Sequence, residues 1–345
     1  MKKLFSILLS ALLLLSFAFA EGSTVIVAVG DSYISGEGIE PFYGQDADMA
    51  ERCRDNDWLA HRSEKSWPGM LTLPAVDGPM KDHRGENFFF SAASGAKATE
   101  LFLLTDEEKA AGKTAEQKKD YNRDGVKGTA MLPPQLDVFD ELDEKGLKAD
   151  YVLISVGGND IDFKLMVAES MTGLTNYLSG DTPEEKGKTL FESMYKDTAI
   201  RSNIKRAYTD IAARAGAQAT LIVTGYPSVL APDPIGTEGF FPGDSTKIMN
   251  AAGLLFNEEI RNLVEECRSE GLDIYYVSVQ EAFEGHGAYS EDPYIHPIIT
   301  GALDYDLKSS MMVSSYSMHP NEKGAETYAR CVQEFIDRLE SEKGN

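Results

Sequence analysis

Five short runs, at residues 24–29, 87–91, 151–156, 219–224 and 273–278, are apolar or β-branched at consecutive rather than alternate positions. That pattern predicts strands buried on both faces, as in a parallel sheet. Helical spacing fills most of the intervals. Residues 134–145 carry Leu136, Phe139 and Leu142 three apart, residues 198–215 and 247–270 keep the helical period, and residues 321–342 form a last amphipathic helix. Strands alternating with helices predict an α/β fold, a parallel sheet covered by helices on both faces. The chain contains no internal repeat and no Ser/Pro-rich linker, so residues 21–345 read as one domain. Long irregular stretches remain at 39–86, 105–131, 172–195, 226–245 and 282–316. In such a sheet, loops at the carboxyl ends of the strands surround the ligand crevice.

The N-terminus changes the picture. Lys2 and Lys3 precede an apolar run from Leu4 to Phe17, followed by Ala18-Phe19-Ala20. This is the pattern of a signal peptide, residues 1–20, cleaved near Ala20. The run is short for a hydrocarbon core of about 30 Å, so an exported protein without a stable membrane anchor is expected. Hydrophobic residues at 42% and charged residues at 26% are ordinary globular values and exclude a disordered chain. The formal charge of −23 becomes −25 once the two leader lysines are removed. A chain this acidic, with no basic stripe, is a poor partner for nucleic acid.

Cys53, Cys267 and Cys331 are an odd number for an exported protein, and a Cys267–Cys331 bridge and buried free thiols both fit. The five histidines (His61, His83, His286, His296 and His319) lack zinc-ligand spacing, so no metal site is expected. Residues 120–125, Asp-Tyr-Asn-Arg-Asp-Gly, match the first half of a calcium loop. Met131 stands where that loop needs its bidentate Glu, which leaves a solvated polar turn as the reading.

Four segments carry candidate chemistry. Gly30-Asp31-Ser32-Tyr33 follows the first strand and puts a serine hydroxyl at the carboxyl edge of the sheet. Such a hydroxyl needs a neighbouring base to become a nucleophile, and without one the segment is a helix N-cap. Ser94-Gly95-Ala96 follows the second strand, where glycine allows a backbone N–H to approach a ligand. Gly157-Gly158-Asn159-Asp160 follows the third and offers an amide donor for an oxyanion. His319-Pro320-Asn321 precedes the last helix and supplies an imidazole.

In that chain order the four segments resemble the Ser, Gly, Asn and His blocks of the SGNH (GDSL-type) hydrolases. The similarity runs over about residues 24–340. Residues 30–38, Gly-Asp-Ser-Tyr-Ile-Ser-Gly-Glu-Gly, together with His61-Arg62-Ser63 and residues 283–287, resemble the family's secreted esterase/lipase branch. The resemblance implies a three-layer α/β/α sandwich, flavodoxin-like, with a five-stranded parallel sheet and here long insertions. It implies Ser32 as nucleophile, His319 as general base, and an oxyanion hole of the Ser32 and Gly95 N–H groups with the Asn159 amide. No cofactor is implied, and the substrate would be an ester, of a lipid or of an acetylated carbohydrate, handled by a monomer. A catalytically silent carbohydrate- or cell-wall-binding protein and an acyltransferase are the alternatives on the same fold.

Two departures stand out. The family's usual acid lies three residues before the histidine, and that position here is Tyr316. The expectation is that the Tyr316 backbone carbonyl orients His319, with Asp304 and Asp306 as competitors. Ala93 and Tyr289 occupy positions where this branch often has cysteines. The elbow of the other large hydrolase fold, Gly-x-Ser-x-Gly, is absent, because Ile34 stands two residues after Ser32.

Overall fold

The computed structural model describes residues 24–123, 126–237, 240–300 and 313–343. The proposed signal peptide, Asp124, Gly125, Asp304 and Asp306 lie outside them. Five strands form one parallel sheet: β1 (Ile26–Gly30), β2 (Phe88–Phe90), β5 (Tyr151–Ser155), β6 (Thr220–Thr224) and β7 (Ile274–Val277). Their order is β2-β1-β5-β6-β7, which is the flavodoxin-like arrangement. All five expected strands are present, with helices on both sides of the sheet, and β1, β5 and β6 are buried at every position.

The order reverses direction at β1. The chain leaves β1 toward β2 on one side, then returns to add β5, β6 and β7 on the other. In open α/β sheets loops diverge at such a switch point, and ligands bind outside the carboxyl ends of the strands there, which here are β1 and β5. The Ser32 and Asn159 segments leave those two strands.

The helices that matter to the site are α1 (Ser32–Ser35), α2 (Val138–Lys145), α3 (Phe163–Thr172), α4 (Pro183–Met194), α5 (Thr198–Ala215), α6 (Ser245–Ser269) and α7 (Glu322–Lys343). Helix α4 falls in a stretch that reads as irregular by hydrophobic pattern. Its start is nonetheless written locally: the Thr182 hydroxyl accepts from the Glu185 N–H, the Glu185 side chain answers the Thr182 N–H, and Pro183 opens the first turn. Helix α7 is pinned to the nucleophile side of the sheet through Tyr328. Its ring stacks on Trp67 with centroids 5.9 Å apart, and the Trp67 indole N–H donates to the Tyr33 carbonyl at 3.0 Å.

The stretch 105–131 also holds regular structure. Strands β3 (Gln117–Arg123) and β4 (Val126–Leu132) pair antiparallel, with Gln117 opposite Leu132 and Arg123 opposite Val126. The calcium-loop segment is therefore largely a strand, and Asp120 takes a cross-strand hydrogen bond from the Thr129 hydroxyl at 2.9 Å. Asp-Gly between two pairing segments is a hairpin signal. The flanking residues are too polar for the hydrophobic pattern to report it. Cys53, Cys267 and Cys331 are free thiols, and burial pushes the Cys267 thiol up to about 11.

Candidate active site

Strand β1 ends where only glycine fits. Gly30 has a φ of +130°, and a Cβ there would lie 2.0 Å from the Ser155 carbonyl oxygen of β5. Its backbone is held by Gln135, whose side-chain oxygen accepts the Gly30 N–H at 2.7 Å and whose amide donates to the Gly30 carbonyl at 2.9 Å. Asp31 then caps α1, its carboxylate accepting the Tyr33 N–H at 3.0 Å. The strand thus stops and the helix starts within two residues. Ser32 is left in the first helical turn at the sheet edge, only 7% exposed.

The structure brings His319 to it. Imidazole Nε2 lies 2.7 Å from Ser32 Oγ, across 287 residues of chain. Nδ1 lies 3.1 Å from the Ser317 carbonyl oxygen. A carbonyl only accepts, so this pairing needs the proton on Nδ1 and leaves Nε2 to accept from the serine hydroxyl. The expected Tyr316 carbonyl is not on the ring; it accepts the backbone N–H of His319 at 3.3 Å instead. The reason is a tight turn. Met318 is in the left-handed region at φ +64°, and the chain folds the imidazole back over the residue two before it rather than three. Backbone bonds to His296 on both sides, at 2.8 and 3.1 Å, hold that turn.

Burial pushes the His319 imidazole down to about 4, more strongly than the nearby Glu37 carboxylate raises it. Glu37 comes from the segment after α1 and is itself buried. It meets His61 Nδ1 at 2.9 Å and accepts from the Ser315 hydroxyl at 2.9 Å. Its own burial would raise its carboxyl, but the charge and hydrogen bond of His61 prevail and hold it well below the usual carboxylate range.

The two remaining segments converge on the same edge. Gly95 adopts φ +78°, which suits glycine, and the Ser94 N–H beside it donates to the Ala60 carbonyl at 2.9 Å. Asn159 Nδ2 donates one hydrogen to the Ala96 carbonyl at 2.9 Å, which ties the Asn segment to the Gly segment and leaves its second N–H for a ligand. A relay also joins the Asn segment to the Ser segment. The Gly158 N–H donates to the Tyr226 hydroxyl at 3.0 Å, and that hydroxyl donates to Asp31 at 2.5 Å. The Ser155 hydroxyl donates to the other Asp31 oxygen at 3.2 Å. Burial still lifts the Asp31 carboxyl to about 7, against the Tyr226 and Ser155 hydroxyls and the Tyr33 N–H.

Ser32, Gly95, Asn159 and His319 therefore meet at one rim, while Tyr316 approaches only through its backbone. Sequence reading missed Gln135, Tyr226, Glu37 and His61 as supports, because each sits in an irregular loop or beside an element boundary. Among the described residues, no group of three His, Cys, Asp or Glu side chains is placed to hold a metal ion. Among them also, no helix is long and apolar enough to cross a membrane.

A serine and an imidazole lie within hydrogen-bonding distance at the carboxyl edge of a flavodoxin-like sheet, with glycine and asparagine segments beside them. The chain belongs to the GDSL-like lipase/acylhydrolase family, whose model matches residues 26–332, and that places it among the carboxylic ester hydrolases. Solved structures share the fold. An extracellular lipase from Streptomyces rimosus is 21% identical with a TM-score of 0.53, the match covering 90% of this chain and 99% of that one. A phospholipase A1 from Streptomyces albidoflavus NA297 is 19% identical with a TM-score of 0.55, over 91% and 99% of the two chains. Among curated proteins, none matches the sequence.

Proposed function

We propose that this protein is an exported serine esterase or lipase that cleaves carboxylic esters through an acyl-enzyme, with residues 1–20 serving as its signal peptide. The observation that carries the reading is the 2.7 Å approach of Ser32 Oγ to His319 Nε2. In the proposed reaction Oγ attacks the ester carbonyl carbon while its proton passes to Nε2, and the carbonyl π pair moves onto oxygen. The Ser32 and Gly95 N–H groups and the Asn159 amide stabilise that oxyanion. Collapse expels the alcohol, which takes the proton from the imidazolium, and water then hydrolyses the acyl-serine by the same steps. The Ser317 carbonyl fills the orienting role of a third triad member and fixes the ring and its tautomer.

An apolar acyl chain rather than an acetylated sugar is the proposed substrate group, on the premise that two exposed apolar side chains would receive it. Leu165 on α3 is 44% exposed, one residue from Lys164, whose charge is felt at His319. Ile235 is 58% exposed, and its N–H donates to the Tyr289 carbonyl. The Tyr289 hydroxyl accepts the Ile298 N–H, next to the Ile299 N–H that binds Ser317. Hydrolysis of p-nitrophenyl esters from acetate to palmitate, beside acetylated xylan, tests the reading. Ser32→Ala is expected to abolish turnover, with butyrate or longer chains preferred; full turnover in Ser32→Ala would reject the assignment.

A further inference from the structure

The peptide bond that carries the Gly95 N–H has the Ser94 carbonyl at its other end. That carbonyl takes two hydrogen bonds from the β3–β4 hairpin. Gln117 Nε2 donates to it at 2.9 Å, and the Lys119 ammonium donates to the same oxygen. Gln117 and Lys119 are two apart on one strand, so the pleat turns both side chains to one face, toward Ser94. The Ser94 N–H, on the preceding peptide, donates to the Ala60 carbonyl and anchors the chain just ahead of that peptide.

A cation on an amide oxygen draws electron density away from nitrogen and makes the N–H at that end a stronger donor; linked hydrogen bonds polarise one another in this way. From this arrangement we infer that the β3–β4 hairpin is an electrostatic support of the oxyanion hole, in which Lys119 and Gln117 position and polarise the Ser94–Gly95 peptide for the developing oxyanion. The inference rests on the ester-hydrolase reading. Lys119 is a positioning residue, because it acts through the peptide and forms no bond to substrate. As Ser32 Oγ bonds to the carbonyl carbon and negative charge moves onto oxygen, the Gly95 N–H meets it already polarised, and the ammonium keeps its proton throughout.

The charge on that ammonium is conditional. Lys119 is half-buried, and desolvation pulls it down to about 8. The Glu37 and Glu100 carboxylates facing it raise it, while Lys164 on α3 and Arg62 lower it. Protonated Lys119 is the supporting form, so the hole weakens as pH rises through about 8.

The test is kcat and KM for p-nitrophenyl butyrate against pH, in wild type, Lys119→Met and Lys119→Arg, with Ser32→Ala as reference. Wild type is expected to lose rate above about pH 8 toward a lower plateau. Lys119→Met is expected to stay on that plateau from neutral to alkaline pH, with kcat about tenfold lower at neutral pH and KM unchanged, a fraction of what loss of a whole oxyanion donor costs. Lys119→Arg should keep the rate and carry it past about pH 10, since guanidinium does not deprotonate there. Wild-type kcat with an unmoved alkaline limb in Lys119→Met would overturn the inference. So would a Lys119→Arg variant as slow as Lys119→Met, which is the deciding comparison if the methionine variant does not fold. Full turnover in Ser32→Ala would instead overturn the ester-hydrolase reading, and the inference with it.

Discussion

The Tyr33 hydroxyl donates to the Met318 carbonyl at 2.7 Å, so the residue after Ser32 grips the residue before His319. The rings of Tyr33 and His319 also lie 5.3 Å apart. The distance between the proposed nucleophile and base is thus set by their immediate neighbours, and not only by the two side chains themselves.

Tyr33→Phe removes this tie and leaves the rest of the ring in place. The expected loss is about 1 kcal/mol of stability, the usual worth of one such bond. Because the His319 loop is then free to drift, kcat should fall about tenfold with little change in KM, in line with the sensitivity of reaction to small misplacement. Steady-state kinetics beside urea unfolding would check both; an unchanged kcat would show that the backbone bonds to His296 suffice.

The acid side of the pH profile follows from His319. Its neutral form is the base, so kcat/KM should rise as pH rises through about 4, not near the ordinary imidazole value of about 6.5. Glu37→Gln removes the carboxylate that raises the imidazole, and the limb should move to lower pH. A limb near 6.5 in wild type would mean that the site is wetter than its packing indicates.

Glu37→Gln also breaks a buried pair, because Glu37 and His61 are each only 1% exposed. Losing one partner of such a pair costs ~3 kcal/mol. A carboxyl depressed in the folded state contributes stability that is present above its unfolded value and lost as pH falls below it. The deficit of the variant should therefore be full at pH 7 and shrink on going below about 4.5, measured by denaturant unfolding at several pH values.

Tyr226→Phe cuts the relay between Gly158 and Asp31. It leaves the Gly158 N–H without its partner and Asp31 with one donor fewer, at a cost of ~1–3 kcal/mol. The Asp31 carboxyl, already lifted to about 7, should rise further. A raised carboxyl contributes stability at low pH that is lost as pH rises through its folded value. The variant's deficit should accordingly be larger at pH 8 than at pH 5, and an equal deficit at both would separate Asp31 from the relay.

Tyr316→Phe should leave kcat within about twofold, since the carbonyl on the imidazole is that of Ser317 and the phenol donates to Glu40 at 2.9 Å. A loss of more than about tenfold would bring the phenol into the chemistry.

The layers could be anticipated because consecutive apolar residues, as in β1 and β5, can be satisfied only between two covering helical layers, whereas the strand order followed only from the family resemblance. Ser32, Gly95, Asn159 and His319 could be anticipated because each follows a strand or precedes a helix and the four motifs together, in chain order, resemble the family's blocks; singly, each read as no more than a cap or a turn. The hairpin β3–β4 and helix α4 escaped the hydrophobic pattern because their stability is written in turns and caps rather than apolar periodicity.

The sequence by itself determined the sheet and its helical cover, since local backbone and burial requirements act over a few residues at a time, and the order of its motifs along the chain pointed to four candidate site residues. Only the tertiary structure decided that the Ser317 rather than the Tyr316 carbonyl lies on the His319 ring, that Lys119 reaches the Ser94 carbonyl and Glu37 the His61 ring, and that the Tyr33 hydroxyl meets the Met318 carbonyl. Those relations depend on where side chains from distant loops come to rest and how far burial shifts their protons, and no spacing along the chain encodes a distance through space.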